Sequence, residues 1–197
     1  MKTFSLALLF CAYLATIANA GLWDEALNGD LSGDNFAPTA MTFDLGENRV
    51  KGTMGGDPGD GIPLDRDIFK VTIPSGRWIT SINVLTYTPT GLSFYAIAAG
   101  ESIDITSSAN HLSNKLISGN GEILTSLADG AYNGGTGLTN PMPAGTYTVW
   151  FQEVSSVVTY DIAYTVVPEP HTVGLLVFGG LAFLGGVLKK GESGGRS

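Results

Sequence analysis

Apolar and polar residues alternate with period two in several short stretches, the mark of strands with one buried face. Met41-Thr42-Phe43-Asp44-Leu45 is the first, and Phe69-Lys70-Val71-Thr72-Ile73 the next, stopped by Pro74-Ser75-Gly76. A longer run from Trp78 to Tyr87 ends at Pro89 and Gly91, and Leu92 to Ala98 follows. Tyr147 to Phe151, entered from the turn residues Pro143-Ala144-Gly145, and Tyr160 to Val166 complete the set. Residues 107–146 are rich in Ser, Asn and Gly, and two short strands around Leu116 and Ile123 with a long loop are expected there. The middle of the chain carries no 3.6-residue period and no internal repeat. Short strands parted by Gly, Pro and Asn turns predict an all-β fold, an antiparallel sandwich of jelly-roll type.

The two ends break this pattern. Residues 1–20 read as a signal peptide: Lys2 is the basic start, Phe4 to Ile17 the apolar stretch, and Ala18-Asn19-Ala20 the small-residue cleavage site, with Ala18 and Ala20 at its outer positions. Near the other end, Val173–Leu188 is a 16-residue run without a charge, closed by Lys189 and Lys190. As a helix it is about 24 Å long against about 30 Å of hydrocarbon, so it spans with local thinning or with the lysines snorkelling. The lysines hold the C-terminus on the cytoplasmic side, which makes residues 191–197 a cytoplasmic tail. Five glycines within the run suit close approach by other helices. Before it stands Val167-Pro168-Glu169-Pro170, whose two prolines exclude helix interior and favour an extended backbone that a protease cleft can take.

These three parts in this order, over residues 167–190, resemble the PEP-CTERM sorting signal of Gram-negative bacteria. The resemblance implies processing by an exosortase-type enzyme after a transient stay in the inner membrane, and delivery to the cell surface or matrix of a bacterium that makes extracellular polysaccharide. Two features depart from the family: the basic stop is Lys-Lys where arginines are usual, and Gly191 to Ser197 follow it.

The remaining domain, residues 21–166, is long enough to bury about 70% of its unfolded surface without staples. The single cysteine of the chain, Cys11, falls in the signal peptide, so disulfide scaffolds, Cys-ligated zinc and Cys nucleophiles are excluded. Between Asp24 and Asp161 lie sixteen Asp and Glu against six Lys and Arg. That balance repels phosphate backbones and argues against nucleic acid as a partner. Within the domain, Gly29 to Asp34, Leu45 to Thr53 and Asp65 to Pro74 resemble the bacterial pre-peptidase C-terminal domain. That resemblance implies a non-catalytic β-sandwich, in some members with calcium or polymer contacts.

Candidate chemistry is sparse. Asp57, Asp60, Asp65 and Asp67 crowd a glycine-rich loop, and calcium takes such hard oxygens on a backbone that can fold round it. The EF-hand spacing is absent. Asp24, Asp30 and Asp34 form a second acidic cluster that a sandwich could bring to the first. Among the aromatics Trp78, Tyr87, Tyr95, Tyr132, Trp150 and Tyr164, most belong to a core, and Tyr132 in the Gly-rich loop is the candidate sugar contact. Of two histidines, His171 lies in the tail and His111 stands in a Ser/Asn stretch without a Gly-x-Ser-x-Gly elbow. The expectation is therefore a non-enzymatic surface or matrix protein that associates with extracellular polysaccharide and needs no cofactor besides a candidate calcium. Its rivals are a secreted glycan hydrolase using a carboxylate pair and a calcium-dependent adhesion module.

Overall fold

The computed structural model describes residues 19–56, 59, 61–129, 135 and 137–170. The signal peptide up to Ala18, the Val173–Leu188 span, Lys189, Lys190, Asp57, Asp60 and Tyr132 lie outside the described residues. Among the described residues no helix is long and apolar enough to cross a membrane.

The described chain is mostly strand. In order come β1 (Asn19–Asp24), α1 (Glu25–Asn28), β2 (Thr39–Thr42), β3 (Gly46–Gly55), β4 (Arg66–Ile73), β5 (Arg77–Thr88) and β6 (Ser93–Ala99). Then follow β7 (His111–Ile117), β8 (Gly121–Glu122), α2 (Leu124–Ala128), β9 (Gly145–Gln152) and β10 (Val157–Pro168). They form two five-stranded sheets, ordered β1-β3-β10-β5-β8 and β2-β4-β9-β6-β7. The all-β reading and its two-layer arrangement are both present.

Two pairings differ from the antiparallel expectation: β1 runs parallel to β3, and β2 parallel to β4. The reason lies in the path. From β1 to β4 the chain visits the two sheets in turn, so each return to a sheet is a crossover rather than a hairpin, and a crossover brings a strand back in the same direction.

The core lies between the sheets, where the period-two residues meet. Phe69, Val71 and Ile73 of β4, Ile79, Ile82 and Val84 of β5, and Val158, Tyr160, Ile162 and Tyr164 of β10 are all buried there. Tyr95 and Tyr164 join their hydroxyls across the layer at 2.8 Å, and Phe151 meets Tyr160 edge-on at 4.9 Å between centroids. A buried tyrosine of this kind fills apolar volume and still satisfies its hydroxyl. A smaller second cluster, Ile68, Ala96, Ala98 and Ile103, fills the opposite face of the second sheet.

Candidate cation site and adjoining dish

The period-two rule puts Asp67 in an unusual place. On β4 it falls on the same face as Phe69, Val71 and Ile73, and it is 0% exposed. A carboxylate thus occupies a core position. Its Oδ2 accepts a hydrogen bond from the Tyr160 hydroxyl at 2.7 Å. Its Oδ1 is buried and has no partner among the described residues. A buried charge without a partner is costly, so such a group either stays neutral or meets a cation.

Two further carboxylates are brought to it by tertiary pairing. The segment after α1 crosses to the second sheet, where the Ile68 amide donates to the Ser32 carbonyl at 2.8 Å. Buried Leu31 anchors that crossing and leaves Asp30 beside Asp67. Glu25 comes from the end of β1. The ladder stops at the pair Asp24–Lys51, and the Glu25 side chain then takes over the free edge of β3. Its Oε2 accepts from the Thr53 amide at 2.7 Å and its Oε1 from the Leu31 amide at 3.1 Å. Gly52 makes this possible, because a Cβ there would lie 2.6 Å from the Glu25 carboxyl carbon. Asp65 is tied in next to them by a reciprocal backbone pair with Gly55.

One oxygen from each of Glu25, Asp30 and Asp67 lies within 4.8 Å of the others. Two oxygens bound to a single calcium at about 2.4 Å stand at most about 4.8 Å apart, so the spread suits one hard cation. The electrostatics agree. Burial pushes the Asp67 carboxyl up to about 9, with the neighbouring Glu25, Asp65 and Asp30 charges adding to the shift against the Tyr160 hydrogen bond. Burial also raises Glu25 and Asp65, with Asp30 adding to both. Glu25, Asp30 and Asp67 present hard oxygens of the kind a divalent cation takes, with Asp65 beside them.

Beside the cluster opens a dish of about 620 Å³. Glu25, Asp30 and Tyr160 form its boundary with the cluster, and Asp24, Lys51, Thr53, Thr86, Thr159 and Asp161 line the rest. Asp161 is fixed by Arg49 and stands 4.0 Å from Lys51. Asp67 does not line the dish.

Of the two acidic clusters, Asp65 and Asp67 come from one and Asp30 from the other. Asp34 is spent on its own turn, accepting from the Phe36 amide at 2.9 Å, and Asp24 caps α1 through the Ala26 amide. Glu25 was not among the candidates, since its neighbours in sequence give no sign that its partners are Thr53 and Leu31. Among the aromatics, Tyr87, Tyr95 and Tyr164 are buried, as a core assignment requires. His111 opens β7 and is 1% exposed, packed by Phe94 and Trp150, with Nε2 2.8 Å from the Asp104 carbonyl.

The sorting motif is described as far as Pro170. β10 runs two residues past the expected domain end at Val166, pairing Val167 with Trp78 and Pro168 with Arg77. The Glu169 amide then donates to the Gly76 carbonyl, and the Trp78 indole N–H to the Glu169 carboxylate, each at 2.8 Å.

Comparison with known proteins returns no match: no family model, no curated protein and no solved structure matches the chain.

Proposed function

We propose that the chain is an exported, non-enzymatic β-sandwich module that binds a divalent cation, calcium by its donor set, and acts at the cell surface or in the extracellular matrix. The observation that carries the cation is the Glu25–Asp30–Asp67 cluster, in which a fully buried carboxylate oxygen stands without a partner. Glu25 follows β1 of the first sheet while Asp67 lies on β4 of the second, with Asp30 on the segment that crosses between them, so the ion would fasten the N-terminal segment across both layers. The jelly-roll reading is supported by the strand distribution from β3 onward, with β3, β10, β5 and β8 in one sheet and β4, β9, β6 and β7 in the other.

Export and sorting rest on the ends of the chain. Signal cleavage after Ala20 leaves Gly21 to Asp24 on the edge of β3, from the pair Gly21–Asn48 to the pair Asp24–Lys51. The tail, Val167-Pro168-Glu169-Pro170 with the apolar run and Lys189-Lys190, supports exosortase-type processing. A hydrolase reading is less well supported: the most acid-like carboxyl, Asp67, is buried under Tyr160 and is not a wall of the dish, so it cannot reach a glycosidic oxygen.

The cation reading is tested by thermal unfolding in calcium and in chelator. A ligand that binds only the folded state at about 100 times its Kd adds about 2.7 kcal/mol, so Tm rises in calcium and the rise disappears in Asp67→Asn. Equal Tm in both conditions overturns it.

A further inference from the structure

We infer that the dish beside the cation cluster is a saccharide site, in which a vicinal diol of a neutral sugar completes the coordination of the bound ion. The inference rests on the cation reading and adds the ligand class. One oxygen from each of three carboxylates is fewer than the six to eight that calcium takes. Glu25 and Asp30 belong to both the cluster and the dish, so the coordination positions left open face the dish rather than the core. Adjacent hydroxyls of a pyranose are a pair of hard, neutral oxygens at chelating distance.

The rest of the lining reads the same way. Its volume, about 620 Å³, is in the range of about 300–1,000 Å³ usual for small-molecule sites. Thr53, Thr86 and Thr159 are exposed hydroxyls on adjacent strands, able both to donate and to accept. Asp24 and Asp161 accept sugar O–H groups, and Lys51 between them donates to a ring or hydroxyl oxygen. The lining holds four carboxylates against one lysine; Arg49 offsets Asp161, but Asp65 and Asp67 stand behind Glu25 and Asp30, so a bound divalent ion still leaves the site negative. That balance selects neutral sugars over uronates and phosphosugars. Tyr160, the one aromatic of the lining, is 1% exposed, which leaves recognition to oxygen chemistry rather than to ring stacking.

The test uses the full chain in a detergent without a sugar head group. Ligand-observed NMR is run with methyl α-mannopyranoside, methyl α-galactopyranoside and glucuronate, each in calcium and in chelator, and thermal unfolding reports the ion separately. The expected result is binding of a neutral pyranoside that needs calcium and weakens about tenfold, or about 1.4 kcal/mol, in Thr86→Val/Thr159→Val. That variant should keep the full calcium shift in Tm, since neither threonine belongs to the cluster. A calcium shift with no pyranoside bound, with glucuronate preferred, or with a pyranoside bound equally in chelator overturns the saccharide site and leaves the cation reading standing. Absence of the calcium shift overturns both.

Discussion

The indole N–H of Trp78 donates to the carboxylate of Glu169 at 2.8 Å, and through that bond the domain holds the acid of the Val167–Pro170 motif against the end of β5. A processing enzyme that needs this stretch extended in its own cleft must first peel it from the sheet. Trp78→Phe keeps the ring and removes the donor. A hydrogen bond to a carboxylate is worth about 1.5–3 kcal/mol, roughly tenfold or more in the population of the peeled end. Pulse-chase of the precursor should therefore show faster processing in the variant. An unchanged rate would mean that the clamp does not limit access. Failure of Pro168→Ala/Pro170→Ala to block processing would instead remove the sorting assignment itself.

Asp67 makes stability depend on pH in an unusual direction. The folded state keeps its proton to about pH 9, whereas the unfolded chain loses it near pH 4. Between those values the folded state holds the extra proton, so stability falls as pH rises. In chelator, Tm should drop steadily from about pH 5 to about pH 9, and Asp67→Asn should flatten the slope. Calcium displaces the proton, so its affinity should climb over the same interval. A flat profile for the wild-type chain in chelator would contradict the protonated state.

Gly52 is the smallest part of the site and can be tested alone. In Gly52→Ala the new methyl would lie 2.6 Å from the Glu25 carboxyl carbon, and the flexible glutamate must swing away. It then releases the Thr53 and Leu31 amides, at a cost of about 1–3 kcal/mol if they stay unpaired. Calcium affinity should fall together with Tm. A loss of stability with calcium affinity intact would place Glu25 outside the coordination shell.

Glu153 sets the acid side. It is buried, which would raise its carboxyl, but hydrogen bonds from the Ser155 hydroxyl and amide, the Val154 amide and Ser93 outweigh burial and hold it below the usual range. The same side chain accepts from the Leu92 amide at 3.1 Å, tying the β5–β6 turn to the β9–β10 turn. A depressed carboxyl adds stability above its unfolded pKa and loses it as pH falls. Glu153→Gln should cost about 1–3 kcal/mol at neutral pH and less in acid. An equal cost at both would mean that shape, not charge, matters there.

How far the fold could be read from the chain follows from where each strand keeps its side chains. β4, β5, β9 and β10 carry the alternation because one face of each meets the core, although β10 is buried on both faces from Tyr160 to Tyr164. β3 escaped notice because its inward positions include Asn48 and Gly52. Asn48 is 0% exposed and closes the turn from Asp44 through both its amide atoms, and Gly52 yields its space to Glu25. Neither adds an apolar beat to the pattern. β1 and β2 are edge strands whose parallel pairing depends on the crossover path, which no local spacing records. The acidic loops announced oxygen chemistry but not which oxygens meet. Asp30 comes to Asp67 through the long-range Ser32–Ile68 bridge, and Asp34 accepts from its own turn.

β10 is paired on both sides from Thr159 to Val166, with β3 along one edge and β5 along the other. Its first half carries Tyr160 and Asp161 at the dish, and its last residues lead straight into the apolar tail. If the dish holds a ligand and the tail an anchor, as proposed, a pull between them runs along this one strand, between two antiparallel neighbours. Such a load shears both ladders at once instead of unzipping them bond by bond. On the proposed function, the strand that would join ligand to tail is the one held in the middle of its sheet.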